Sequence, residues 1–238
     1  MEQGTNSYRY SGANPNNYIC FGSDENYCPT DNLYRIIGIF ENNIKLIKNI
    51  SIGNFIWNSE LDNTWLPSKE IYPDIKNTVN STFLSDLDHK WLNIIKEHEW
   101  HVGGMDWNSS YTAKNYYDRE IGINSNNILD NMKIGLMYVS DYGFAASNNY
   151  WDYSLYNYSN TDIRENNWMF IDISEWTISR YYTQDRAIDA FYVRSDGSFN
   201  GANFVTGYNN IRPCFYLNSN VEYSSGNGTQ SDPFRIKL

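Results

Sequence analysis

The region from Trp168 to Leu217 constrains the fold of this chain most, because short apolar segments alternate there with polar, tyrosine-rich ones. The apolar segments WMFI, AFYV and CFYL have the length of buried strands. Between them the chain is rich in Tyr, which gives rigid contact area, and in Ser, Gly and Asn, which give adaptable hydrogen bonds. The region contains no nucleophile–base pair and no cluster of metal ligands. The pattern therefore predicts recognition rather than catalysis.

Length, charge and hydropathy exclude several classes of protein. The 238 residues suffice for one substantial core, so we expect a single domain, with an irregular N-terminal arm at 1–32 and the folded unit at 33–238. A net charge of −10 argues against a nucleic-acid partner or an anionic membrane. No stretch approaches the roughly 18 apolar residues of a membrane span, so we expect no direct membrane insertion. The 34 asparagines indicate an AT-rich genome, which does not explain where the tyrosines cluster.

The cysteines indicate an oxidising compartment. Cys20 and Cys28 flank a short polar loop that a disulfide can close, and we predict that bond; two free thiols in a cytosolic protein are the alternative. Cys214 lies among strand residues, so we expect a buried, unreactive thiol. The polar N-terminus MEQGTNSYRY is unlike a signal peptide, which suggests that a leader or anchor precedes this chain.

Local patterns predict a mixed α+β fold. One helix is predicted from Ser68, which can cap it, with Ile71, Ile75 and Val79 on one face. A second is predicted over 85–96, and no other convincing helix is found. The predicted strands are NYICF (17–21), LYRIIGIF (33–40), IKLIKNI (44–50), KIGLMYVS (133–140), NWMFI (167–171), AFYVR (190–194), GANFV (201–205), RPCFYL (212–217) and PFRI (233–236).

Seven motifs spread over residues 8–236 form a specific set: YRYSGANPNNYICF, NLYRIIGIF with IKLIK, EWHVGG, IGLMYVSDYGFAAS, NNWMFIDISEWTISR, IRPCFYLNSNV and GTQSDPFRI. As a set they resemble surface-protein modules found downstream of pilin-type N-terminal segments in gut anaerobes. Those modules resemble the C-type lectin-like fold. The resemblance implies two helices and a loop-rich antiparallel β half.

The arrangement is also similar to the variable proteins of diversity-generating retroelements. In those proteins a lectin-like domain displays mutable residues, encoded by adenine-containing codons, on a fixed scaffold. The matching segment here is 181–210, between EWTISR and IRPCFYL. The resemblance implies that this segment is diversified.

The metal chemistry of some lectins is not expected here. Calcium-dependent sugar-binding lectins use Glu-Pro-Asn or Gln-Pro-Asp with Trp-Asn-Asp; this chain has neither Pro-centred triplet, and DWNSS at 106–110 is only an echo. We therefore expect no cofactor, no metal and no essential calcium. Formylglycine-generating enzymes share the fold but use a late cysteine pair, whereas only Cys214 lies there.

Other chemistry-bearing side chains are interpreted as structural. His98 and His101 have a spacing that only weakly indicates a metal pair, so we expect them to close the second helix. Four carboxylates nearby are interpreted as a solvated helix face rather than a glycoside-hydrolysing pair: Asp86, Asp88, Glu97 and Glu99. Trp168 is expected to be buried.

The leading interpretation is a cell-surface or pilus-displayed, adhesin-like domain that is not an enzyme. It would be extracellular and would bind an unknown protein or glycan through residues 181–210, with assembly into a pilus or surface layer as a further role. A carbohydrate-active enzyme and a structural pilin-like subunit remain as alternatives. The predicted ligand-binding residues are Tyr181, Tyr182, Asp185, Arg194, Asp196, Asn200 and Tyr208.

Overall fold

The computed structural model describes residues 7–65, 73–182, 188–218 and 220–237. Its strands are β1 (Tyr8–Arg9), β2 (Tyr18–Cys20), β3 (Leu33–Phe40), β4 (Asn43–Lys48), β5 (Asn54–Ile56), β6 (Ile95–Lys96), β7 (His98–His101), β8 (Leu129–Met132), β9 (Ile134–Gly135), β10 (Glu175–Arg180), β11 (Asp189–Val193), β12 (Ala202–Phe204), β13 (Tyr208–Asn210), β14 (Cys214–Leu217), β15 (Glu222–Ser225) and β16 (Arg235–Lys237).

Short helices connect these strands. The α-helices are α1 (Asp74–Asn77), α2 (His89–Leu92), α3 (Ala113–Glu120), α4 (Val139–Ala145) and α5 (Thr161–Glu165). A π-helical segment at Thr78–Phe83 continues α1, and three 3₁₀ turns lie at Thr30–Asn32, Asn148–Tyr150 and Leu155–Ser159. The mixed α+β class predicted from the sequence is confirmed.

The larger sheet is built on the β3–β4 hairpin. Its turn residues Glu41 and Asn42 both have positive φ, the conformation that a two-residue hairpin turn requires. The strand order is β1-β3-β4-β14-β6, with β2 pairing with β3 and β9 pairing with β14. The sequence motif CFYL thus forms a buried strand inside this sheet.

The second sheet contains strands from residues 181–210, the segment that the sequence predicts to bind a ligand. Its order is β12-β11-β10-β13-β5, and every residue of β10 is buried. Strands β10, β11 and β12 pair antiparallel, while β13 meets β10 through one parallel pair, Glu175 with Asn210. Two further pairs, β7–β8 and β15–β16, stand apart from the two sheets.

The helix predictions are partly wrong. Ser68 and Ile71 lie outside the described residues, and the first helix is described only from Asp74, after Pro73. The predicted helix over 85–96 is reduced to the single turn α2, because Ile95 and Lys96 pair with β14 instead. The expectation of two helices is also wrong, since α3, α4 and α5 add to them.

Two predicted strands also differ. The segment 167–171 forms turns, because Trp168 is buried and its indole N–H donates to Tyr10 O at 2.8 Å. Of the segment 133–140, only Ile134 and Gly135 are strand, and α4 begins at Val139. In both places tertiary contacts outweigh the local preference of apolar, β-branched residues.

The disulfide between Cys20 and Cys28 is confirmed, with 5.8 Å between the two Cα atoms. It closes a loop next to β2, and Leu33 and Tyr18 pack with the two cysteines in a small apolar cluster. Cys214 is buried with a free thiol, as predicted. Burial raises the pKa of that thiol far above its ordinary value, so it stays protonated.

Removal of the disulfide is expected to destabilise the N-terminal strands. The double variant Cys20→Ser/Cys28→Ser should lower the free energy of unfolding by about 2–3 kcal/mol, the closure entropy of so short a loop. Urea unfolding of wild type and variant, each with and without reductant, measures this. Free thiols at both positions in peptide maps of the air-exposed protein, or no response of the wild type to reductant, would contradict it.

Candidate functional site

The predicted binding residues separate into two groups along β11. Tyr181 lies beside the first residue of β11, since its N–H donates to Asp189 O at 3.1 Å. Arg194 and Asp196 follow the last residue, and Asn200 precedes β12, whose Ala202 pairs with Phe191. Asp185 lies outside the described residues. The six described positions therefore do not form one contiguous patch.

Two aromatic side chains are exposed near the Asp189 end, Tyr182 at 44% and Phe204 at 47%, and a third, Tyr208 at 66%, follows Phe204 along the chain. Asp189 pairs with Phe204 on one side and with Tyr181 on the other, so two strand spacings, about 10 Å, separate Phe204 from the chain at 181–182. A tight turn, in which Gly207 N–H donates to Phe204 O at 2.8 Å, leads into Tyr208. We call Tyr182, Phe204 and Tyr208 the aromatic edge.

Phe204 was not predicted, although the sequence contains a signal for it. Phe204 and Val205 are adjacent apolar residues at the end of the predicted strand GANFV (201–205), where neighbouring side chains point to opposite faces. Val205 is fully buried and Phe204 is exposed. Where only one face of such a segment is covered, as here, one apolar side chain of the pair faces solvent and is a candidate contact residue.

Contacts to both its ring and its main chain fix the position of Tyr182. The Arg180 guanidinium lies 5.3 Å from the centre of the Tyr182 ring, a cation–π distance. Arg180 is itself fixed by bonds to Val102 O and Gly103 O at 3.0 and 2.9 Å. The Tyr182 backbone N–H donates to Met105 O at 2.8 Å, so both the ring and the main chain are anchored.

The base of the 182–188 segment is closed by Asn63. Its side-chain amide donates to Tyr181 O and, at 2.8 Å, to Asp189 O. Asn63 is fully buried. Tyr181 is only half-buried, with its ring edge-on to Phe191 at 5.6 Å, so it packs on the sheet rather than projecting with Tyr182.

The residues at the other end of β11 form a tight turn. Asp196 Oδ1 accepts from Ser198 N at 2.9 Å and from Ser198 Oγ at 2.7 Å. Burial raises the pKa of Asp196, but the hydrogen bonds from Ser198 and the charge of Arg194 outweigh it, so the pKa lies below its ordinary value. Gly197 closes the turn with positive φ. Asp196 also lines a shallow depression of about 500 Å³ with Arg164 and Phe170.

A cleft of about 810 Å³ lies elsewhere and contains the two histidines. His98 and His101 lie on β7 and not at the end of a helix, which corrects the prediction. The His98 ring lies 3.9 Å from the Tyr216 ring. Burial, with the charges of Lys45 and Lys96, lowers the pKa of His98 to about 4, so His98 is neutral at physiological pH.

A buried ion network forms the floor of that cleft. The Asp141 carboxylate accepts from Lys45 Nζ at 2.5 Å and from Arg9 Nη1 at 3.0 Å, and also from Tyr138 N at 2.9 Å. Burial raises the pKa of Asp141, but the two cations outweigh it and hold the pKa below its ordinary value. Asp141 therefore remains ionised and does not serve as a proton donor at neutral pH.

One carboxyl has a pKa suited to acid–base work, but its surroundings are structural. Burial raises the pKa of Glu120 to about 7, against hydrogen bonds from Ser140, Ser179 and Val139 that lower it. Its two oxygens accept from Val139 N and Ser140 N at 2.8 and 2.9 Å, which are unpaired donors at the start of α4. Glu120 thus caps a helix, and the sequence contains no signal for this.

Within the described part of the chain, no three His, Cys, Asp or Glu side chains lie together as metal ligands would. None of the helices described there is long and apolar enough to cross a bilayer.

No protein-family model matches this chain, and neither a curated protein sequence nor a solved structure matches it.

Proposed function

We propose that this chain is a recognition domain of a cell-surface or pilus-displayed protein, which binds a protein or glycan through the aromatic edge. The observation that carries the proposal is the exposure of Tyr182, Phe204 and Tyr208 near one end of a rigid sheet. Large aromatic side chains grouped in solvent are typical of contact surfaces. Aromatic anchors of this kind supply most of the energy of many interfaces.

The anchoring of Tyr182 supports a preorganised surface. A ring fixed by Arg180, on a main chain fixed by Met105 O, loses little conformational freedom on binding. The main chain between Phe204 and Tyr208 is constrained by the tight turn that Gly207 closes. The aromatic edge is thus suited to binding a ligand without reordering the sheet.

Binding is favoured over catalysis by the state of the carboxylates. Asp141, on the floor of the histidine-containing cleft, is ionised and accepts from Lys45 and Arg9. Both carboxylate oxygens of Glu120 accept hydrogen bonds from backbone N–H groups at the start of α4. A carbohydrate-active enzyme would need a proton donor and a base facing one cleft, and these two groups do not supply them.

We also propose a C-type lectin-like fold and an extracellular setting. The seven motifs over residues 8–236 support the fold, together with an arrangement of two sheets joined by short helices. The disulfide between Cys20 and Cys28 is compatible with an oxidising compartment.

A glycan array and an immobilised mucin surface test the binding function. The variant Tyr182→Ser/Phe204→Ser/Tyr208→Ser is expected to lose at least tenfold in affinity for whichever probe the wild type binds, while its melting temperature stays the same. The matched control, Tyr8→Ser/Tyr27→Ser/Tyr156→Ser, removes three other exposed tyrosines. It should bind as the wild type does.

Three results would count against the proposal. These are equal binding by the two triple variants, binding lost only in the control, and absence of binding to every probe. Self-association of the wild type that the aromatic-edge variant abolishes would favour the structural-subunit alternative. Light scattering on both proteins distinguishes that case.

Diversification of residues 181–210 is a separate proposal, supported by the similarity to retroelement variable proteins. It predicts a near-copy of these codons in the neighbouring DNA, differing at adenines, beside a reverse-transcriptase gene. Sequencing of that region decides it, and a locus with neither feature would rule it out.

A further inference from the structure

A cavity of about 610 Å³ lies where the chain around Tyr18 meets β3 and the segment 164–173. It is separate from the aromatic edge and from the histidine-containing cleft. We call it the Arg35 cavity, after the buried cationic side chain that lines it. Its volume falls within the range of small-molecule sites.

Arg35 is a buried cation without an acidic partner. It is 6% exposed, and its hydrogen-bond acceptors are neutral. Arg35 Nε donates to Asn17 Oδ1 at 2.7 Å, and Nη2 donates to Pro15 O at 3.3 Å. No carboxylate of the described chain forms an ion pair with it. Buried charges are ordinarily paired, because desolvation of an unpaired ion is costly.

The charged groups near Arg35 do not compensate its buried positive charge. Burial lowers the pKa of Arg35 to about 10; the Tyr18 phenol acts in the opposite direction, and Arg212 lowers the pKa further. Arg212 itself is neutralised by Glu175, with which it forms two hydrogen bonds. An anion entering the cavity would offset a cost that the folded chain already carries.

The orientation of Arg35 is fixed by two rings. Its guanidinium lies 4.1 Å from the Tyr18 ring centre and 4.6 Å from the Trp168 ring centre. Both are cation–π distances, so the two rings hold the guanidinium in place. Nη1 donates to no atom of the described chain. The edge of a fixed guanidinium matches the geometry of a carboxylate.

A second arginine lies at the mouth of the cavity. Arg164 is half-buried, its guanidinium lies 6.0 Å from the Phe170 ring, and it forms no ion pair within the described residues. Glu165 is the acidic residue that shares this lining. Two unpaired guanidiniums thus outweigh one exposed carboxylate, and the local charge is positive in a chain whose net charge is −10.

The remaining lining is mixed. Apolar side chains at Ile50, Ile171 and Ile173 alternate with the amides of Asn14 and Asn49. A ligand with ring hydroxyls and one apolar face can use both kinds of surface. From these contacts we propose that the Arg35 cavity binds an acidic monosaccharide, with its carboxylate at the edge of Arg35 and near Arg164. This site does not depend on the aromatic edge.

Isothermal titration of the full chain tests the proposal with four probes. D-Glucuronate and N-acetylneuraminate supply ring and carboxylate, D-glucose supplies the ring alone, and inorganic phosphate supplies a different anion. We expect saturable binding of at least one acidic sugar, at least tenfold tighter than glucose or phosphate. We also expect binding to weaken as salt rises.

Variants assign the binding to this cavity. Arg35→Met should abolish it, and Arg164→Gln should weaken it about tenfold, as loss of a charge-assisted hydrogen bond implies. Arg119→Gln, which removes an arginine paired with Asp106 elsewhere, is the matched control and should leave binding unchanged. If Arg35→Met does not fold, Arg164→Gln decides, because its side chain lies at the rim.

Three results would overturn the assignment. They are affinity for neither acidic sugar above that for glucose, tighter binding of phosphate than of either acid, and acid binding unchanged in Arg164→Gln. The aromatic-edge triple variant should bind the acidic sugar as the wild type does. Failure here is thereby distinguishable from failure of the proposed function.

Discussion

Glu175→Gln is expected to lower the free energy of unfolding by about 3–5 kcal/mol, the cost of leaving a buried charge without its partner. The side chains of Arg212 and Glu175 are 1% and 3% exposed, and their two hydrogen bonds measure 2.7 and 2.8 Å. Without the carboxylate, Arg212 keeps only neutral acceptors such as Met169 O, at 2.8 Å. Urea unfolding monitored by tryptophan fluorescence measures the change.

Two controls separate charge from packing in that experiment. Glu222→Gln breaks the exposed pair with Lys237 and should change stability little. The double variant Glu175→Met/Arg212→Met removes both charges and should cost less than Glu175→Gln alone. A stability for Glu175→Gln equal to that of Glu222→Gln would mean that the buried pair contributes nothing.

Phe215→Ala is expected to lower the free energy of unfolding by about 3–5 kcal/mol, because it leaves a cavity in the core. Phe215 is fully buried on β14, with ring centres at 4.9 Å from Phe21 and 5.5 Å from Tyr34. The three rings join β14 to β3 and to the end of the β2 strand. The loss should appear as a lower urea midpoint with an unchanged slope.

The matched control is the same substitution at an exposed position. Phe204→Ala should change stability by no more than about 0.5 kcal/mol, since it leaves no core cavity. Similar losses in the two variants would show either that Phe204 is structural or that the core around Phe215 can collapse. The first outcome would weaken the assignment of Phe204 to the aromatic edge; the second would concern only the core.

Sequence patterns predicted the strands that depend on local signals. LYRIIGIF forms β3 from Leu33 to Phe40, because a dense apolar run bounded by turn residues fits a buried strand. The turn at Glu41 and Asn42 returns the chain into β4 as expected. CFYL forms β14 for the same reason. The disulfide followed from the polar loop between two cysteines.

The segments whose secondary structure was predicted wrongly are those that contact partners distant in the sequence. Ile95 and Lys96 suit a helix locally, but the edge of β14 offers Leu217 and Tyr216 as pairing partners. The segment at Trp168 suits a strand locally, but the Trp168 indole N–H donates a hydrogen bond to Tyr10 O. Periodicity cannot reveal such competition, because it depends on residues more than a hundred positions apart.

The candidate sites were predictable only in part. Tyr182 and Tyr208 were singled out by composition, whereas the separation of Arg194 and Asp196 from them depends on the length of β11. Arg35 gave no signal at all, since it lies within an apolar strand motif and its lack of an acidic neighbour appears only in three dimensions. Charge balance is a property of the fold, and no local pattern encodes it.

The closure of the 182–188 segment by Asn63 bears on how this surface can change. The amide of Asn63 ties Tyr181 O to Asp189 O, so the strands on either side are joined whatever sequence runs between them. Lengthening a closed loop costs only about 0.6 kcal/mol for each doubling. An epitope or a second binding loop grafted between Tyr182 and Ile188 should therefore cost little stability and leave β10 and β11 in register. Asn63→Ala, which unties the two ends, should make the same graft destabilising.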